Sequence, residues 1–235
     1  MSRVPPADQL AGAFIALLAL AATFAVFVPR CLGAASGAET EIVSALKEVE
    51  DEGLVLPIEG AAGPLRSYKL MYARITVSRS PEGTRAEALA TLDFEGTLPP
   101  EARVSGISLE RVPFVFEDRE WQAPSTAAPR LQGVVRALEA RRQALEQGDV
   151  ARLAALDPGG RDPASDPGLA RLLALKSRRY RVDAWFIRIE EDVAVVKERY
   201  RLQGDLPDRP VDERGEAQLS LVREGAQFFF AAGGR

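Results

Sequence analysis

Four residues near the C-terminal end have types and spacing that could do chemistry: Asp183, Trp185, Glu198 and Tyr200. Asp183 and Trp185 lie two positions apart, as do Glu198 and Tyr200, so on extended strands the members of each pair share a face. A carboxylate buried among aromatic rings is a known route to general acid/base work at neutral pH, because desolvation raises its pKa. On that reading the four line a ligand pocket, with Asp183 or Glu198 as the base. The competing reading makes Trp185 and Tyr200 packing residues and leaves both carboxylates in water.

The rest of the composition narrows the chemistry. Among 235 residues there is no histidine, the side chain most often used as a base near pH 7 and as a metal ligand. Cys31 is the single cysteine, so neither an intrachain disulfide nor a thiolate metal centre can form within one chain. Gly159-Gly160-Arg161 and Gly233-Gly234-Arg235 match no phosphate-loop spacing. No catalytic residue, metal ligand set or cofactor is therefore assigned. The net charge of -4 and the dispersed arginines argue against nucleic acid as a partner. Lys176, Arg178, Arg179 and Arg181 form the densest positive cluster, suited either to an anionic ligand or to meeting the dipole at a helix C-terminus.

Elements that must position these residues are legible from periodicity. Ile42, Val43, Leu46 and Val49 recur at helical spacing after Thr40, with Gly53 as the stop. Alternation then predicts strands over Ser67–Ser78, Arg85–Leu98 and Val104–Phe116, separated by Ser80-Pro81-Glu82-Gly83 and Pro99-Pro100. Ala123–Arg130 has the proline-bearing character of a linker. Beyond it Leu131, Val134, Val135, Leu138 and Leu145 make an apolar helical stripe, with Arg136, Glu139, Arg142 and Glu146 largely off it. Asp149 and Asp166 are expected caps of two shorter helices, the second with Pro167 at its first position. Strands are expected over Arg179–Ile189, Val193–Leu202, Glu216–Arg223 and Gln227–Ala232. Phe228-Phe229-Phe230 puts aromatics on both faces of the last strand, which asks for a partner on the face that the helices do not cover.

Leu10–Val28 is uncharged and long enough to cross a bilayer as a helix of about 20 residues. It is expected as a single-pass anchor, with cleavage near Gly33–Ala38 as the other reading. Cys31 follows Pro29 and Arg30, which departs from the small residue that a lipoprotein signal requires. The soluble body is expected on the periplasmic or extracellular side.

The two halves also echo one another. Glu95-Gly96-Thr97-Leu98-Pro99 matches Gln203-Gly204-Asp205-Leu206-Pro207, and Glu117-Asp118-Arg119-Glu120-Trp121 matches Glu224-Gly225-Ala226-Gln227-Phe228. The second half, from Leu131 to Ala232, resembles the nuclear transport factor 2-like superfamily through Ala144–Val150 with Leu153 and Leu156, and through the terminal hairpin Leu219–Phe228. That resemblance implies a cone-shaped α+β fold whose known members include enzymes and non-catalytic proteins. Enzymes of the superfamily often use an aspartate and histidine pair, which this chain lacks.

The expected architecture is thus α+β: an N-terminal membrane segment (1–36), a divergent first unit (37–123) and a second unit (131–235), each with helices on one face of a curved antiparallel sheet. The expected role is a membrane-anchored, non-catalytic cell-envelope protein with a tandem binding or assembly module, having a protein partner or a second copy. The alternative is a small-molecule-binding or isomerase/hydrolase-like enzyme using a cone pocket in the second unit.

Overall fold

Alternation between apolar and polar residues dictates which face of each strand is buried, and Arg85–Leu98 shows it: Ala86, Ala88, Ala90, Leu92, Phe94 and Leu98 are buried, with partly exposed residues between them. The structure, a computed structural model, describes residues 37–123, 126–157, 159 and 165–231. The apolar run Leu10–Val28, Cys31 and Gly233-Gly234-Arg235 lie outside the described residues. Among the described residues no helix is long and apolar enough to cross a membrane.

Helix α1 (37–52) precedes strands β1 (Val55–Leu56), β2 (Leu65–Arg79), β3 (Arg85–Leu98), β4 (Ala102–Glu117) and β5 (Glu120–Gln122). Helices α2 (Pro129–Gln147), α3 (Val150–Ala155) and α4 (Pro167–Leu173) follow, then β6 (Lys176–Glu190), β7 (Val193–Asp205), β8 (Pro210–Glu224) and β9 (Gln227–Phe230). Asp149 and Asp166 cap α3 and α4 through their side chains, as their spacing suggests.

The strands build one nine-stranded mixed sheet, not an antiparallel sheet for each half. Its order is β1-β2-β3-β4-β6-β7-β8-β9, with β5 on β4. The junction is parallel: Arg103–Ser108 of β4 pair with Ala184–Ile189 of β6. Three helices separate β5 from β6, and that length of chain is what lets β6 return alongside β4 in the same direction. At the junction Gly106 lies so close to the Ile187 carbonyl that a Cβ there would overlap it.

The internal echo has a structural counterpart. In each half the first long strand carries two register shifts, at Ser67/Lys69 and Ala73/Thr76 in β2 and at Lys176/Arg179 and Val182/Ala184 in β6. Such bulges bend a strand and curve the sheet. Gly96 and Gly204 each pack against the backbone of that strand, at the carbonyls of Arg66 and Lys176 respectively. Each half closes with a two-residue hairpin, Glu117 pairing Glu120 and Glu224 pairing Gln227, and each hairpin leads to a buried aromatic, Trp121 or Phe228.

Buried residues from both halves form one cluster, from Ala38 and Ile42 through Leu131, Leu138 and Leu145 to Phe228. The proline-bearing stretch after β5 is no exposed tether at its end. Ala127 and Ala128 are buried, and the Tyr72 hydroxyl donates to the Ala127 carbonyl at 2.9 Å, because α2 begins directly on the core.

Candidate functional site

Of the four residues singled out by spacing, Trp185 and Glu198 meet directly, Tyr200 reaches them through Tyr180, and Asp183 does not join them. Glu198 projects inward from β7 and is 1% exposed. The Tyr180 hydroxyl donates to its Oε1 at 2.5 Å, the Trp185 indole N–H donates to Oε2 at 2.9 Å, and Arg141 of α2 donates to Oε1 at 3.1 Å. The Tyr200 ring stacks on Tyr180 with centroids 5.0 Å apart and packs over Gly215 of β8, where a side chain would collide with it. Trp185 is fully buried.

Asp183 is the correction. Strict alternation puts it on the face of Trp185, but the bulge at Val182/Ala184 makes it the extra residue opposite β7, so the phase of the strand changes there. Tyr180 and Val182 point inward before the bulge, Trp185, Ile187 and Ile189 after it, and Asp183 is exposed. The two carboxylates therefore lie on opposite faces and do not share a pocket.

Electrostatically the inner cluster is closed. Burial, followed by the Glu198 charge, holds the Tyr180 phenol well above its usual range. For Arg141 the largest influence is desolvation, which works downward, yet Glu198 and Tyr180 outweigh it and hold the guanidinium more firmly charged than usual. Three donors thus meet one carboxylate that bulk water does not reach. This arrangement can hold a negative charge and fix α2 on the sheet.

A second buried carboxylate, which spacing arguments did not select, does equivalent work at the other end of α2. Glu110 of β4 is fully buried and accepts from the backbone N–H groups of Arg130 at 2.8 Å and Leu131 at 2.9 Å, and from Ser108 Oγ at 2.5 Å. Ala128, at the N-cap, offers no side-chain acceptor, so Glu110 supplies the cap from the sheet. Burial raises its pKa, against these donors, which work to lower it.

At the C-terminus of α2, Arg178 turns inward at the Lys176/Arg179 bulge and donates to the carbonyls of Leu145 at 3.0 Å and Leu173 at 3.2 Å, joining the ends of α2 and α4. The densest positive cluster is consequently divided. Arg178 meets two helix C-termini, Arg181 pairs with Glu101, and Lys176 and Arg179 are exposed.

Glu139, expected off the apolar stripe, is buried instead. It accepts twice from Arg142 and once from Gln143, whose side chain also donates to the Gly60 carbonyl at 2.6 Å. The loop between β1 and β2 thereby joins α2. A sequence signal for Glu198 and Glu110 did exist: each is a lone carboxylate in an apolar alternating row, Ala194-Val196-Glu198 and Glu110-Val112-Phe114. Arg141 and Arg178 carry no comparable local signal. Among the described residues no group of three or more Cys, Asp or Glu is placed to hold a metal ion.

The outer face of the sheet is bare by contrast. Ile107, Phe186, Val193, Val195 and Val222 are between 38% and 56% exposed. The registers make them neighbours across β4, β6, β7 and β8, with Arg188 between Ile107 and Val195, and Ile107, Phe186 and Val195 line an open depression of ≈ 660 Å³ together with Arg188, Glu190 and Lys197.

No family model matches the sequence, and no curated protein matches it. Among solved structures, the chain is similar to a candidate ketosteroid isomerase from Shewanella frigidimarina, at 18% identity and a TM-score of 0.33 over 40% of this chain and 86% of that one. It is also similar to a nuclear transport factor 2-like protein involved in plasmid conjugation, at 10% identity and a TM-score of 0.31 over 71% of this chain and 75% of that one.

Proposed function

We propose that the chain is a membrane-tethered, non-catalytic assembly module of the cell envelope, its body held outside the membrane by the Leu10–Val28 segment and working through the outer face of its sheet. One observation carries the reading. The inner carboxylates are each closed by three donors from the protein itself, while the face without helices exposes contiguous apolar side chains. Apolar surface left in water on a scaffold this well tied is suited to contact with another macromolecule. An enzyme reading would need Glu198 or Asp183 to meet substrate; Glu198 is 1% exposed, and Asp183 lies on the opposite face of the sheet, near Arg201.

The test has two arms. A reporter fused after Arg235, with the mature chain sized, is expected to show an outward body that retains its N-terminal segment. A cytoplasmic reporter would overturn the envelope placement. Crosslinking in native membranes is expected to give a defined adduct through the outer face, and a strictly monomeric chain would overturn the assembly role. Turnover of a small molecule lost in Glu198→Gln, in a variant that still folds, would support the enzyme instead.

A further inference from the structure

A guanidinium carries five N–H donors and stays charged inside a protein, so one that leaves water needs acceptors for most of them. Arg141 meets Glu198, Arg142 meets Glu139 and Glu146, and Arg178 meets the carbonyls of Leu145, Leu173 and Leu175. Arg130, in the first turn of α2, is not matched in this way. Its side chain is 4% exposed, yet the guanidinium makes a single hydrogen bond, from Nη1 to the Leu109 carbonyl at 2.7 Å. Nη2 stands 3.6 Å from Asp192 Oδ1, beyond hydrogen-bond length, and Nε is buried without a partner. Among the described residues, only Arg178 Nε shares that last condition.

The same Asp192 oxygen is approached from the other side by Arg223 of β8, whose Nη1 lies 3.8 Å away. The backbone is firmly tied: the Arg223 N–H donates to the Asp192 carbonyl at 2.8 Å. The Asp192 carboxylate, 66% exposed, is thus held by its own turn between two guanidiniums and bonds closely to neither. Arg223 is the register partner of Phe228, which packs on Gly133 of α2, so the two arginines meet at the rim of the helix-covered face, beside the N-terminus of α2. That helix end adds its own positive potential. Glu110 takes the N–H groups of Arg130 and Leu131, but burial raises its pKa and makes it a weaker counter-charge than an ordinary carboxylate. Desolvation, followed by Arg223, leaves the Arg130 guanidinium less firmly charged than usual, against the support of Glu110 and Asp192.

We infer that Arg130 and Arg223 form a binding site for an oxyanion, the phosphate or carboxylate group of a small ligand, which bridges the two guanidiniums in place of the Asp192 side chain. Either group presents paired oxygens to the parallel N–H donors of arginine. A ligand is not tied to the β6–β7 turn, so it can close to hydrogen-bond length on both cations where Asp192 stays at 3.6 and 3.8 Å. Asp192 is exposed enough to turn into water while its backbone remains on Arg223. The site does not involve the outer face of the sheet and is independent of the assembly role.

The test is titration of the purified full-length chain with sodium phosphate and with sodium acetate, each against sodium chloride of equal ionic strength, followed through the arginine side-chain N–H resonances by NMR. The Arg130 and Arg223 signals are expected to shift and saturate, and the probe that saturates at lower concentration identifies the group. Arg223→Gln should weaken binding at least about fivefold, while Asp192→Asn, which removes a competing negative charge, should tighten it at least about threefold. The second result separates a ligand site from a structural ion pair, in which Asp192→Asn would lower the melting temperature and leave binding no tighter. Shifts that sodium chloride reproduces, or saturation that neither substitution alters, would mark an adventitious ion only and overturn the site.

Discussion

Glu198 shows how a residue typical of catalysis becomes a fastening. Its oxygens are committed to Tyr180, Trp185 and Arg141, so replacing it disturbs a network. Glu198→Gln removes the charge facing Arg141 and sets an amide donor among donors, and is expected to cost about 3 kcal/mol in urea unfolding. Trp185→Phe, which removes one neutral donor and some packing, should cost about 1–2 kcal/mol. Two other carboxylates should respond to pH in opposite directions. Glu110 is raised by burial, so it favours folding in its protonated form; that contribution is full below its ordinary 4.5 and fades as pH rises through the folded value. The stability advantage of wild type over Glu110→Gln should therefore be larger near pH ~4 than near pH ~7. Asp212 is held down to about 2, first by its hydrogen bond with Arg201 and then by Gln203. Its contribution is present above the ordinary 3.8 and is lost as pH falls toward 2. A carboxyl NMR titration should place its midpoint near 2 in the wild type and closer to 3.8 in Arg201→Gln.

At the scale of elements, α2 does most to define the molecule. It buries Leu131, Val134, Val135, Leu138 and Leu145, each contributing about 1.5–3 kcal/mol on removal from water. Groups supplied by the sheet satisfy both of its ends, the Glu110 carboxyl accepting from the N-terminal N–H groups and the Arg178 guanidinium donating to the Leu145 carbonyl at the C-terminus. Gly148 closes it at φ 72°, beside the Arg178 guanidinium. Gly148→Ala should cost about 1–2 kcal/mol, from the left-handed backbone and displacement of Arg178. Glu110→Ala, which leaves two helix N–H groups buried without acceptors, should cost about 2–4 kcal/mol and speed hydrogen exchange at the first turn of α2.

For the whole molecule, the parallel junction of β4 and β6 makes two similar halves one sheet with one core. Calorimetry of the wild-type body is expected to show a single transition. In Gly106→Val the new side chain would be forced into the backbone of Ile187, so the variant should unfold in two steps or lose several degrees of melting temperature.

Element types and most boundaries were legible in the sequence, because burial of one face imposes a period of two on strands and 3.6 on helices. Arg85–Leu98 was read to the residue for that reason, as were the Asp149 and Asp166 caps. Gly96 and Gly204, aligned in the echo between the halves, each lie at a close approach of backbone, to the Arg66 and Lys176 carbonyls respectively. Trp185 and Glu198 meet in the structure and Tyr200 stacks on Tyr180 beside them, while Asp183 is turned away by a bulge, a one-residue insertion that period-two reasoning does not register. Only the tertiary structure decided that β4 pairs with β6, that Arg141 and Arg178 close onto the sheet, and that Glu110 caps a helix some twenty positions away. Those contacts join residues distant along the chain, and local periodicity holds no term for the partner that a buried charge will find.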